Sequence, residues 1–206
     1  MGKHQPSEVR RAQILEAAMH VCADKGYHAS RIDDIAAHAG LSKGAVYHHF
    51  ASKQEVFLGL VEQMMAEATQ VISQLDASGA SAVETLNGLI DLFVGMFRDS
   101  PQVLRGLLEI FFLGVRDPEF RKHFDGYYSS MIEATEQVIR HGIDRGELDP
   151  DLDPEEAARV FVLGGDGLLL ILVMLDRFEE GVGSVRAMSD LLLEGMKRKP
   201  GKGSDS

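Results

Sequence analysis

Between Ser30 and Phe50 the chain reads SRIDDIAAHAGLSKGAVYHHF, and this stretch constrains the fold more than any other. Its spacing predicts two short helices separated by a sharp turn. Ser30 suits the N-cap of the first, because a serine hydroxyl accepts a free backbone N–H of the first turn. Ile32, Ile35, Ala36 and Ala39 give that helix one apolar face. Gly40 supplies the left-handed residue that ends it, and Leu41 fills the corner. Ser42 caps a second helix, in which Val46 and Phe50 point back at the first. Lys43, Gly44, Ala45, Tyr47 and His48 remain on the outer face. They are small, basic or hydrogen-bonding, which a helix needs if it is to approach a DNA major groove and reach phosphates and base edges.

At these residues the chain resembles the tetracycline-repressor (TetR) family of transcriptional regulators. The matching words are RAQILEAAMHVCADKGY, SRIDDIAAHAGLSKGAVYHHF and SKQEVF, in that order, over about residues 10 to 58. The resemblance implies an all-helical dimer with a helix-turn-helix DNA-binding head and a C-terminal body that binds a small inducer. Carried over from the motif, Ser30, Arg31, Ser42, Tyr47, His49 and Lys53 are expected mainly on phosphates. Lys43 and His48 are the expected base contacts. Two residues depart from the pattern. Ala45 stands where many relatives carry Thr, so one hydroxyl contact is lost. Asp33 stands where Arg is common, which weakens the case for a base contact there.

Net charge is −11, which by itself argues against nucleic acid. Its distribution reverses the inference. Residues 1–53 hold seven Lys/Arg against five acids, a net of +2, and residues 54–206 hold 14 against 27, a net of −13. Such asymmetry orients a protein on DNA and keeps the acidic part away from it. The single cysteine, Cys22, excludes an intrachain disulfide, and its place beside Ile14, Ala18 and Val21 marks it as core. No apolar leader segment is read at the N-terminus, so a cytoplasmic protein is expected.

Helical apolar periodicity recurs along the chain and β-branched alternation does not, so the expected fold is all-α with about nine helices. The first runs from about Ser7 to Lys25 and stops at Gly26. Ser52-Lys53-Gln54-Glu55 and Ser81-Ala82-Val83-Glu84 read as capping boxes opening helices 4 and 5. Ser100-Pro101, Asp117-Pro118 and Asp153-Pro154 each give a cap followed by proline at the first helical position, for helices 6, 7 and 8. Ser184 reads as the cap of helix 9. The expected organisation is a DNA-binding head over 1–52, a ligand-binding and dimerisation body over 53–198, and a solvated tail over 199–206. Helix 4 is long enough to join head and body, and is the natural lever.

Residues 160–175, VFVLGGDGLLLILVML, are apolar on every side from Leu168 onward. A membrane span is set aside because the run is short and interrupted by Asp166 and three glycines. Burial between the body and a second subunit explains the pattern, and the resemblance implies that helices 8 and 9 form a four-helix dimer interface. Phe161, Gly165, Leu168, Leu169, Leu172, Val185, Met188, Leu192 and Met196 are the expected contacts. Large, adaptable apolar side chains gather in helices 4 to 7, and the resemblance implies a pocket there. Met64, Phe93, Phe97, Phe111, Phe112, Tyr127, Tyr128 and Met131, with Asp166, are its candidate lining, suited to an apolar or aromatic ligand.

Other chemistry finds little support. The D-x-D-x-D run from Asp149 to Asp153 begins like a calcium loop, but Pro154 replaces the turn glycine and Val160 the closing glutamate. Acids favoured at a helix N-terminus account for it. Neighbouring His48 and His49 point about 100° apart on a helix and chelate poorly. There is no Ser-His-Asp set, phosphate-binding glycine loop or H-E-x-x-H, so neither an enzyme nor a cofactor or metal is expected. The expectation is a homodimeric regulator, more often a repressor than an activator, with near-palindromic operator DNA and a small effector as partners. The rival is a helical small-molecule carrier with a non-functional head.

Overall fold

The computed structural model describes residues 7–99 and 101–197, apart from the side chains of Met65, Asp76, Met96, Phe97, Asp99, Pro101, Gln102, Val103 and Phe178. Among these residues the fold is all-α, as the periodicity predicts. The helices are α1 (Ser7–Ala29), α2 (Ile32–His38), α3 (Lys43–His49), α4 (Lys53–Ala77), α5 (Ala82–Asp99), α6 (Pro101–Arg116), α7 (Pro118–Asp144), α8 (Pro154–Met174) and α9 (Phe178–Met196).

Most of the predicted caps form. Ser42 Oγ accepts the Ala45 amide at 3.1 Å. Ser81 and Glu84 exchange both bonds of a capping box, at 3.1 and 2.8 Å. At α4 the Ser52 hydroxyl accepts from the Glu55 amide, and the Glu55 carboxylate reaches back one residue further than expected, to the Ala51 amide. Asp117 and Asp153 cap α7 and α8 ahead of their prolines. The Ser100 cap and the tail from 199 onward lie outside the described residues.

Two starts and one stop differ from expectation. Ser30 does not cap α2: its hydroxyl donates to the Gly26 carbonyl at 2.6 Å, and Arg31 takes the N-cap position with its amide on the Asp34 carboxylate. Ser184 lies inside α9, which begins six residues earlier at Phe178. Gly26 breaks α1 but does not end it; at φ 77°, ψ 161° it kinks the helix, and one further turn reaches Ala29. A positive φ of this kind suits glycine.

The chain divides into two compact units. The first comprises Met1–Met64 and Ser100–Tyr127, and the second Met65–Asp99 and Tyr128–Ser206. In the first, Ile14, Leu15, Ile35, Val46, Phe57, Ile110 and Phe120 form the buried core. Here α1 packs most extensively on α6, because Gly106 has no side chain: a Cβ there would stand 3.0 Å from the Ala23 nitrogen. In the second unit Leu86, Met131, Ile139, Leu148, Phe161 and Val185 are buried, and the Asp149 amide closes on the Met196 carbonyl at 2.9 Å. At 21 residues α8 is long and apolar enough to cross a bilayer, which corrects the judgement that the run is too short. The helix continues N-terminally through Pro154 to Arg159, beyond the apolar run.

Candidate functional site

Two short helices and a corner build the outer face of the first unit. Val46 and Phe50 are buried where α3 packs on α2, so their burial fixes the roll of α3. That roll leaves Ser42, Lys43, Gly44, Tyr47 and His48 exposed, with Ala45 and His49 half-buried. Nothing lies close to the position of a Gly44 Cβ except the Ser42 hydroxyl at 3.9 Å. The α3 surface is therefore low as well as polar, and its Tyr47 ring stands 48% exposed.

The charges on this face are arranged rather than free. Lys43 Nζ lies 2.9 Å from the Asp33 carboxylate of α2, and that hydrogen bond holds the ammonium pKa above its ordinary value. Lys25 bonds Asp34 at 2.7 Å, which holds the Asp34 carboxyl below its usual range. Asp33, which departs from the arginine common at this position in the resemblance, thus tethers the Lys43 ammonium.

Ser30 and Lys53 are placed differently from the other candidates. Ser30 is only 2% exposed and its hydroxyl is committed to Gly26. Lys53 Nζ donates to the Tyr27 carbonyl at 2.9 Å and the His28 carbonyl at 3.4 Å, and sits 4.4 Å from the Tyr27 ring centroid. Burial lowers its pKa. It satisfies the carbonyls at the end of α1, a favourable place for a cation. Both residues hold the turn that leads into α2. The head motif marks these positions, but only the packing shows which way their side chains point.

Also within the first unit, α4, α6 and α7 enclose an apolar nest lined by Val61, Met64, Leu107, Ile110, Phe111, Phe124 and Tyr127. Met64, Phe111 and Tyr127 were among the expected lining; Val61, Leu107, Ile110 and Phe124 were not. Phe111 stacks on Phe124 with centroids 4.5 Å apart. The nest is nearly full, with a free volume of about 10 Å³, roughly the space of one water. Phe112 points to the opposite side of α6. It is 52% exposed and lines an open groove with Tyr27, His28, Glu109 and Arg116. Cys22 donates to the Gly106 carbonyl, and burial pushes its thiol up to about 12, as expected of an inert core cysteine.

The remaining expected pocket residues fall in the second unit or outside description. Phe93, Tyr128, Met131 and Asp166 belong to the second unit, and the Phe97 side chain is not described. Burial raises the Asp166 carboxyl to about 6 against the opposing pull of a hydrogen bond with Tyr128. On the α8–α9 pair the structure separates the expected interface residues. Phe161, Gly165, Leu169, Val185 and Met196 are buried. Leu168, Leu172, Met188 and Leu192 are half-exposed. The outward stripe of α8 is Val160, Leu163, Gly167, Ile171 and Met174, at spacings of three and four, and Leu191 of α9 is 76% exposed.

Comparison with known proteins gives a consistent picture. Residues 14–60 match the family described as bacterial regulatory proteins, tetR family. Residues 81–164 match the tetracyclin repressor-like C-terminal domain. The chain is 26% identical over 186 residues to the uncharacterized HTH-type transcriptional regulator YfiR of Bacillus subtilis, covering 90% of each. It is 29% identical over 154 residues to the HTH-type transcriptional repressor AcnR of Corynebacterium glutamicum, covering 74% of this chain and 75% of that one. A crystal structure of a TetR transcription regulator from Haloarcula marismortui superposes with a TM-score of 0.80 at 23% identity, covering 93% of this chain and 100% of that one.

Proposed function

The chain belongs to the tetR family of bacterial regulatory proteins, and from that premise we propose that it is a homodimeric repressor released from a near-palindromic operator by a small apolar or aromatic effector. It is a ligand-responsive, sequence-specific DNA-binding regulator, and its place of work is the cytoplasm. The carrier alternative is not favoured. The observation that carries the reading is the α3 surface: Lys43, Gly44, Tyr47 and His48 stand exposed on a helix whose opposite side is locked into the core. Lys43 and His48 take the base edges. Arg31, Ser42, Tyr47 and His49 take phosphates, with Gly44 and Ala45 permitting close approach. Ser30 and Lys53 support the turn behind them.

Burial moves the proposed dimer face around α8 from the set read off the sequence. The outward stripe from Val160 to Met174, with Leu191, supports a surface that meets its own copy across a two-fold axis. Buried residues such as Phe161 and Val185 anchor α8 and α9 within the protomer.

The apolar nest supports the class of effector. Its walls offer methyl, thioether and aromatic groups and no polar surface. Since it holds little free space, an effector enters by moving side chains and helices apart, and that movement is what the DNA-binding face feels. The coupling needs only about 1–3 kcal/mol, or about 5- to 150-fold in affinity. The test is a panel of apolar and aromatic compounds scored for release of a fluorescent operator duplex, followed by titration calorimetry of any that act. Operator must weaken the compound by the same factor by which the compound weakens operator. Equal compound affinity with and without operator contradicts the effector reading.

A further inference from the structure

α6 carries apolar side chains on one side and a single working carboxylate on the other. Leu107, Ile110 and Phe111 line the nest. Glu109, between them in sequence, points to α1, where its Oε2 accepts the Tyr27 amide at 2.7 Å. The contact is built into the backbone. At Gly26 the helix leaves α geometry, and the kink frees the Tyr27 amide from the helical ladder. A Cβ on Gly26 would stand 2.5 Å from that same carboxylate oxygen, so glycine is required for its φ and leaves the space that the Glu109 carboxylate occupies.

The turn thus held is the one that starts the DNA-binding helices. Its carbonyls are held from α4 by Lys53, and its Gly26 carbonyl receives the Ser30 hydroxyl and amide. Arg31 follows at once as the N-cap of α2. The Tyr27 ring is wedged edge-on against Phe57 and Phe120, at 5.0 and 5.8 Å between centroids. A shift of α6 therefore meets a turn that is stiff on its other sides.

We propose that the Glu109 carboxylate, bonded to the Tyr27 amide across the Gly26 kink, is the link by which displacement of α6 reaches the DNA-binding helices. Glu109 is a positioning residue: it touches neither DNA nor effector. The inference rests on the reading of the apolar nest as the effector site. It adds a route to the one offered by α4, whose Val61 and Met64 line the same nest. The two routes make different predictions. Through α4 the signal does not need Glu109; through α6 it does.

The experiment is a double-mutant cycle on the full chain, with DNA affinity measured on a duplex selected from random sequence. Leu107→Trp serves as a built-in occupant, since a bulkier side chain in a nest with about one water of free space forces α6 outward. It should lower DNA affinity about tenfold or more, within the usual range for coupled sites. In a Glu109→Ala background the same substitution should cost less than about twofold, whatever the baseline of Glu109→Ala. Glu109→Gln, which keeps an oxygen acceptor for the amide, should restore the full response, a rescue that mere loss of packing would not give. Hydrogen exchange of the Tyr27 amide supplies a second readout should Glu109→Ala fail to fold: Leu107→Trp alone should accelerate it. An equal cost of Leu107→Trp with and without Glu109, or an unchanged Tyr27 amide, overturns the α6 route while the effector reading stands. No effect of Leu107→Trp on DNA affinity in any background, with the variant folded, overturns the effector reading itself and this inference with it.

Discussion

Lys43 and Asp33 show how much of the recognition surface is decided by a pair. Their ion pair is exposed, with side-chain exposures of 53% and 62%, so it contributes little to stability. Its consequence is for the proposed role of Lys43: to contact DNA its ammonium would have to leave the Asp33 carboxylate, which would then stand near the phosphates. Asp33→Asn should therefore strengthen operator binding by about two- to fivefold at low salt, the scale of one exposed charge interaction. The gain should shrink as salt rises. Unchanged or weaker binding in an anisotropy titration contradicts the tether. At this scale the sequence is only half legible. Residue types that suit a groove can be picked out of SKGAVYHH, but whether Ser30 faces solvent or Gly26, and whether Lys53 faces a phosphate or the end of α1, depends on side-chain direction. One-dimensional spacing does not encode that direction.

Helix boundaries were legible wherever a side chain caps its own backbone. Ser42, Ser52, Ser81, Asp117 and Asp153 all do so, because such caps are local and leave a fixed pattern of residue types. Ser184 has the right type and sits inside α9, a reminder that a serine exposed on a helix is no signal. The harder matter is which side of α8 faces out. A helix apolar all round shows no periodicity to tell inside from outside, so the residues assigned to the interface mixed both sides. Burial resolves them: Phe161, Gly165 and Leu169 anchor the helix, whereas Val160, Leu163, Ile171 and Met174 are left uncovered. Ile171→Asp combined with Leu191→Asp should turn a sedimenting dimer into monomers while the helical circular dichroism signal persists. Persistence of the dimer at micromolar concentration would place the interface elsewhere.

For the whole molecule, the charge split and the head motif were enough to read a DNA-binding regulator, because both are properties of sequence alone. The proposed effector site was less legible. An apolar side chain in a packed helical protein looks the same in sequence whether it lines a nest or fills a core, and Val61, Leu107, Ile110 and Phe124 were left out of the expected lining for that reason. The same limit hid the α6–α1 link, which joins residues 82 apart in sequence through one carboxylate and one amide. The central claim is that two copies of this chain read one two-fold DNA site, each through α3. Selection of bound duplexes from a random pool, followed by sedimentation of the complex, tests it most directly. The account predicts an enriched near-palindrome carrying an even number of protomers, with half-site centres about 34 Å apart, one DNA turn, or a multiple of it. Lys43→Ala should relax the preferred bases in both half-sites. A pool that enriches no sequence, or a selected site without symmetry that binds a single protomer, would contradict it.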